Sequence, residues 1–262
     1  MNKKIFCIDS DGCVMDTMTY KHELFFGRIA AEIFEVDNKI SFLKDWNKVN
    51  LYSKTRGINR FLGLIITLEL NGVKEIDELK KWAYSTNELS NQSLEKEIRI
   101  NGAFDLIKAL KWSSKVNQEI SNSKELDKPF CNAYETIQTL KKYGEIVVVS
   151  SANKEAVQEE WQRHGFLDLV DELYCQDKGK KEEIIRRSIS QMDDLSQVLM
   201  IGDSPGDLEA AEKNGIQFYP ILVGKEKESW IDLKEKFLPL FLDGKYSDCK
   251  GTIIKKFWSN LN

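Results

Sequence analysis

The sequence predicts an α/β protein: a doubly wound parallel sheet that carries one all-helical insertion. Three observations predict it. Short apolar runs of strand length, Ile5-Phe6-Cys7-Ile8, Glu145-Ile146-Val147-Val148-Val149 and Val198-Leu199-Met200-Ile201, each end abruptly in small or acidic turn residues, the pattern of strands buried on both faces. After residue 130 helical patterns separate such runs, and this alternation implies parallel pairing through crossovers, with helices on both sides of the sheet. Residues 17 to 128 show helical spacing alone.

In chain order, the first strand runs into Asp9-Ser10-Asp11-Gly12-Cys13-Val14, where the glycine lets the backbone leave the sheet sharply. Residues 20–35 then place Leu24, Phe25, Ile29, Ile33 and Phe34 at three-to-four spacing, and residues 58–70 and 103–112 repeat the habit. The polar stretch 113–128 reads as a helix end and a hinge before Pro129. A helix of Tyr134, Ile137 and Leu140 follows, which Gly144 is expected to stop. The strand at 145–149 leads into Ser150-Ser151-Ala152-Asn153 and a helix over 154–163, and a strand at 172–175 leads into Lys178-Gly179-Lys180-Lys181 at the mouth of another helix. The strand at 198–201 leads into Gly202-Asp203-Ser204-Pro205-Gly206-Asp207 and a helical pattern over 208–213, and a last strand surrounds 218–222. The domains expected are therefore a sheet core of 1–16 with 129–262 and a helical insertion of 17–128. The segment 224–262, amphipathic over 230–241, is expected to pack against the core.

Composition narrows the function classes. The 262 residues suffice for one large domain or a core with an insert. With 31% charged residues and a formal net charge of −4, no broad basic field for nucleic acid is expected. No apolar run is long enough to span a membrane, and a strand that begins by residue 5 leaves no room for a signal peptide. The five cysteines are odd in number and include no CxxC pair, so reduced thiols and a cytoplasmic location are expected.

The chemistry lies at the strand ends, where open α/β sheets bind ligands. Asp9 and Asp11 sit side by side there, and burying like charges is unfavourable unless a cation or proton relieves them. Asp203 and Asp207 add two more acids at the end of a second strand, and together the four suit a hard dication such as Mg²⁺. Asp207 also begins a helix, where it could equally serve as a cap. Ser150 and Ser151, with backbone N–H groups at a helix start, suit phosphate oxygens. One lysine of the run at 178–181 would neutralise further phosphate charge; Lys180, four residues before Ile184, is favoured over Lys178.

These motifs, in this order, resemble the haloacid dehalogenase-like superfamily, in particular its phosphatases with a helical cap inserted after the first motif. The resemblance covers residues 1–16 and 130–223. It implies that Asp9 attacks phosphorus to form an aspartyl-phosphate and that Asp11 first protonates the leaving alcohol and then activates water. It also implies Mg²⁺ held by the Asp9 carboxylate, the backbone carbonyl of Asp11, Asp203 and Asp207, and phosphate held by Ser150, Ser151 and Lys180. The expected activity is Mg²⁺-dependent hydrolysis of a small phosphorylated metabolite. The alternatives are a phosphomutase of the β-phosphoglucomutase type, which shares Asp16-Thr17, and a silent binding protein that kept the fold. In the insertion, Arg56 and Arg60 lie four residues apart beside Gly57, either on one helix face or presented from a loop, and are candidates for substrate recognition.

Overall fold

The computed structural model describes residues 4–261 and divides into two compact units. One takes the described residues up to Thr17 and from Asp127 onward; the other is Met18–Leu126. Thr17, Asp127 and Lys128, expected in the insertion, thus belong to the sheet unit. Their backbone explains why: Asp16 N–H donates to Lys128 C=O at 2.8 Å and Phe130 N–H donates to Val14 C=O at 2.8 Å, tying the outgoing and returning chains together.

The sheet unit holds five parallel strands in the order β3-β2-β1-β4-β5: β1 Ile5–Ile8, β2 Glu145–Val149, β3 Glu172–Tyr174, β4 Val198–Gly202 and β5 Gln217–Pro220. Because side chains alternate along a strand, the apolar runs feed both faces. Phe6, Ile8, Ile146, Val148, Leu199 and Ile201 pack on one side with Ile137, Leu140, Trp161, Trp230 and Phe241. Ile5, Cys7, Val147, Val149, Val198 and Met200 pack on the other with Ile184, Ile185, Ala210, Ala211 and Phe257. The C-terminal segment therefore contributes to both faces. Gly144 does not end its helix through a left-handed turn, as expected of it; the Ala133–Leu140 helix is already over, and a side chain at 144 would collide with the Lys4 carbonyl.

The second unit is all helical around its own core, which includes Phe42, Trp46, Phe61, Leu64, Trp82 and Trp112. Two expectations need correction there. Leu24, predicted to face inward, is exposed, while Phe26 is buried. The cause is a π-type turn over Lys21–Phe26, whose wider winding shifts the buried stripe relative to regular three-to-four spacing. Of the polar stretch 113–128, read as a helix end and a hinge, residues 113–121 still belong to helix Phe104–Ser121. Ser113 is buried, and its hydroxyl is satisfied by Asn91 and Arg60, so a polar residue continues the inward face.

Candidate active site

The register aligns Ile8 with both Val148 and Ile201, so the residues that follow these three strands emerge at one edge of the sheet. Asp9 N–H prolongs the ladder by donating to Ile201 C=O at 3.0 Å. The loop then folds around Ser10, whose carbonyl accepts the amides of Cys13, Val14 and Met15 at 3.0–3.2 Å, while its own N–H donates to Asp9 Oδ1 at 2.8 Å. Gly12, at φ = 80°, makes the reversal that lets its N–H reach Met15 C=O at 2.8 Å.

Asp9, Asp203 and Asp207 come together here, all buried, each offering a carboxylate oxygen within 4.8 Å of the others. Lys181 Nζ stands between two of them, 2.8 Å from Asp9 Oδ2 and 2.6 Å from Asp207 Oδ1. Burial raises the Asp9 carboxyl well above the ordinary aspartate range; Lys181 opposes the rise, and Asp207 and Asp203 reinforce it. Burial also works against the ammonium of Lys181, but Asp207 and Asp9 outweigh it and hold the lysine above its ordinary value. Lys181 therefore stays charged.

Of these three acids, Asp9 and Asp207 share the one ammonium of Lys181. Asp203 Oδ1 is buried and accepts no hydrogen bond among the described residues, although Asp203 itself acts electrostatically on Asp9. This donor set, all oxygen and rich in carboxylates, fits a hard dication.

Asp207 both caps and faces the site. Its Oδ2 accepts from Ser204 N–H at 3.0 Å and Ser204 Oγ–H at 2.7 Å, closing a capping box at the start of helix Pro205–Lys213, while Oδ1 turns to Lys181. Gly202 makes room for it: a Cβ there would lie within 2.5 Å of Asp207 Oδ2.

The other predicted residues are placed as follows. The Asp11 carboxylate is not in the acidic group; its Oδ1 accepts from the buried Thr17 hydroxyl, a partner six residues on that the sequence reading missed. Ser150 is buried, and its Oγ accepts from Ala152 N–H at 3.1 Å, which leaves the hydroxyl proton to donate. Ser151 is exposed. Lys180 is corrected: it is the exposed N-cap residue of helix Lys181–Ser188, and its neighbour Lys181 is the one that enters the cluster. Lys178 is also exposed, near Asp177.

Arg56 and Arg60, in the helical unit, do not share a helix face. Arg56 lies in the turn before helix Arg60–Leu70, is buried, and donates from Nη1 to Leu51 C=O at 2.8 Å. Arg60 lies 4.9 Å over the Phe26 ring and donates to Asn117 Oδ1 at 2.6 Å and Ser113 Oγ at 3.2 Å. Both guanidinium groups thus hold the helical unit together. Burial pushes the Cys7 thiol up to about 12, and burial together with the nearby Asp203, Asp9 and Asp207 lifts Cys13 well above its ordinary value.

No curated protein matches the chain in sequence. Among solved structures, a provisionally assigned phosphoglycolate phosphatase from Lactobacillus delbrueckii subsp. bulgaricus shares the fold at 15% identity and TM-score 0.52, over 84% of this chain and 86% of that one. A provisionally assigned β-phosphoglucomutase from Thermotoga maritima does so at 20% identity and TM-score 0.52, over 83% and 84%. A haloacid dehalogenase-type hydrolase from Bacillus subtilis, described as bound to magnesium, matches at 13% identity and TM-score 0.52, over 84% and 89%. The family pattern of haloacid dehalogenase-like hydrolases matches residues 68–221, more than half of the sequence, beginning after the loop of Asp9 and Asp11. With that match, and a parallel sheet of this order bearing an inserted helical unit, the chain belongs to the haloacid dehalogenase-like hydrolases.

Proposed function

We propose that the protein is a Mg²⁺-dependent phosphatase that hydrolyses a small phosphorylated metabolite through an aspartyl-phosphate on Asp9. The observation that carries this reading is Lys181 bridging Asp9 and Asp207 beside Asp203 at the ends of adjacent strands. Asp9 is held for in-line attack: Ser10 N–H fixes Oδ1 and Lys181 fixes Oδ2, so the carboxylate does not rotate. Lys181 opposes the effect of burial and favours the ionised nucleophile. Ser150 donates its hydroxyl proton to a phosphoryl oxygen, and the backbone N–H groups before helix Lys154–Arg163 add further donors. Asp11, oriented by Thr17, protonates the leaving alcohol and then takes a proton from water. Asp9, Asp203, Asp207 and the Asp11 carbonyl would hold the ion, which supplies positive charge to a phosphoryl group that otherwise repels its nucleophile.

The test is phosphate release from an aryl phosphate and from a panel of phosphorylated metabolites, with Mg²⁺ and after chelation. Turnover lost on chelation, and lost in Asp9→Asn while its fold persists, is expected. Asp9→Asn retaining more than a tenth of wild-type turnover would remove Asp9 as nucleophile. Sugar phosphate isomerised with little free phosphate would make the activity that of a mutase.

A further inference from the structure

We infer that two fully buried indoles, Trp161 and Trp230, are positioning residues that hold the loop between Asp9 and Met15 in its working shape. The inference rests on the phosphatase reading above. Trp161 Nε1–H donates to Ser10 Oγ at 2.8 Å, and Trp230 Nε1–H donates to the Cys13 carbonyl at 3.1 Å. The loop is thereby held at two points, one between the two aspartates and one two residues beyond Asp11.

Ser10 is well placed to transmit such a constraint. Its N–H orients the Asp9 carboxylate, and its carbonyl gathers three amides of the reversal that carries Asp11. A side-chain bond that stops Ser10 from shifting therefore fixes both acids together. Each tryptophan is itself anchored. Trp161 sits in helix Lys154–Arg163, which begins just after Ser150 and Ser151, and packs edge-on to Phe166 at 5.5 Å. Trp230 sits in helix Glu226–Asp232, and its carbonyl accepts the Thr136 hydroxyl at 3.2 Å.

Packing alone does not require these residues. Leucine or phenylalanine fills a core without a polar atom, whereas a buried indole N–H needs an acceptor and a buried serine hydroxyl needs a partner. Pairing the two inside the fold is favourable only in a defined geometry, so the pair selects one loop conformation over others. Trp230 extends the argument to the segment after residue 221, beyond the family match. That tail does more than cover the sheet; it reaches the loop of the first motif.

The experiment compares wild type, Trp161→Phe, Trp230→Phe, Ser10→Ala and the double variant Ser10→Ala/Trp161→Phe. Melting curves, kcat and KM on an aryl phosphate are measured under the same conditions, well below each melting point. Phenylalanine deletes the donor and keeps one aromatic ring; the packing lost with the second ring is read in the melting curves. A displacement of about 1 Å in reacting groups costs up to roughly a hundredfold, so each single variant should lower kcat by about tenfold or more, with KM within about twofold. The double variant should be no slower than the slower single one, because both changes break one bond. In ¹⁵N-tryptophan spectra, Ser10→Ala should shift the indole N–H resonance that Trp161→Phe deletes. A packing role alone would lower the melting temperature and leave kcat of the folded enzyme intact. Folded Trp→Phe variants with wild-type kcat, or additive losses in the double variant, would overturn the inference. If Trp161→Phe does not fold, Ser10→Ala reads the same bond from its other end and decides by the same kcat criterion; if Trp230→Phe does not fold, Trp230→His, which keeps a ring N–H, takes its place, and wild-type kcat in a folded Trp230→Leu would overturn that half of the inference. An inactive wild type would overturn the phosphatase reading and this role with it; an active wild type with unaffected variants overturns this role alone.

Discussion

Replacing Lys181 with methionine keeps most of the aliphatic stem and deletes one charge. Its side chain is 12% exposed, and its partners are Asp9 at 2.8 Å and Asp207 at 2.6 Å, themselves 9% and 0% exposed. This places it among buried ion pairs, where removing one partner costs about 3–5 kcal/mol because the remaining charge is stranded. The pair of Lys178 with Asp177 is different, at 3.6 Å with both side chains nearly half exposed, and pairs of that kind contribute roughly 0–1 kcal/mol. Lys181→Met should therefore destabilise the protein by about 3–5 kcal/mol in urea unfolding, while Lys180→Met stays within about 0.5 kcal/mol. Because Lys181 also fixes Asp9, the proposed nucleophile, kcat should fall by roughly a hundredfold or more in the variant that remains folded. Adding Asp207→Asn to Lys181→Met removes one of the two stranded carboxylates while the amide oxygen can still accept from Ser204, so part of the lost stability should return. Lys181→Met within 1 kcal/mol of wild type, or Lys180→Met the more damaging change, would refute the reasoning.

Thr17→Val removes the donor that orients Asp11 without changing side-chain shape, and should lower kcat by about tenfold while binding of an aryl phosphate is retained; steady-state kinetics on the folded variant checks it. Reaction with a disulfide reagent should distinguish the five thiols: exposed Cys131 reacts at once, partly buried Cys249 more slowly, and Cys7, Cys13 and Cys175 only on unfolding. Burial raises the Cys7 and Cys175 thiols to about 12, so little thiolate exists at neutral pH while they stay buried. Asp203→Ala should chiefly raise the Mg²⁺ concentration needed for activity. Asp207→Ala should lose stability first, since it removes a cap worth about 1 kcal/mol and one of the two carboxylates that hold Lys181. Metal titrations and urea curves on the two variants separate these effects, and equal behaviour would count against the assignment.

The acids were legible in the sequence because each follows an apolar run too short and too continuous for anything but a buried strand. Strand ends are positions the sheet then fixes by register. Lys181 was not legible, for a reason of helix phase. Lys180 has extended backbone angles as N-cap, so the helix begins one residue later than the spacing to Ile184 suggests. One residue turns a helix by about 100°. Lys181, three and four residues before the buried Ile184 and Ile185, shares their inward side. The π-type turn at Lys21–Phe26 hid the inward face of the first long helix in the same way. Thr17, Trp161 and Trp230 escaped because their partners, the Asp11 carboxylate, the Ser10 hydroxyl and the Cys13 carbonyl, lie in a loop to which no periodicity points.

The oxygens of the site divide their tasks. Asp9 uses Oδ1 for the Ser10 amide and turns Oδ2 to Lys181; Asp207 uses Oδ2 for its cap and turns Oδ1 to the same lysine. In each case a local backbone N–H fixes the carboxylate plane, and the other oxygen carries charge into the cluster. A carboxylate with neither oxygen fixed would lose its aim. Holding one oxygen on a local N–H and setting the other against an ammonium avoids that outcome. It also explains why the acids can remain buried together: local donors limit the cost of desolvation, Lys181 neutralises part of the charge, and the remainder makes the cluster favourable for a dication.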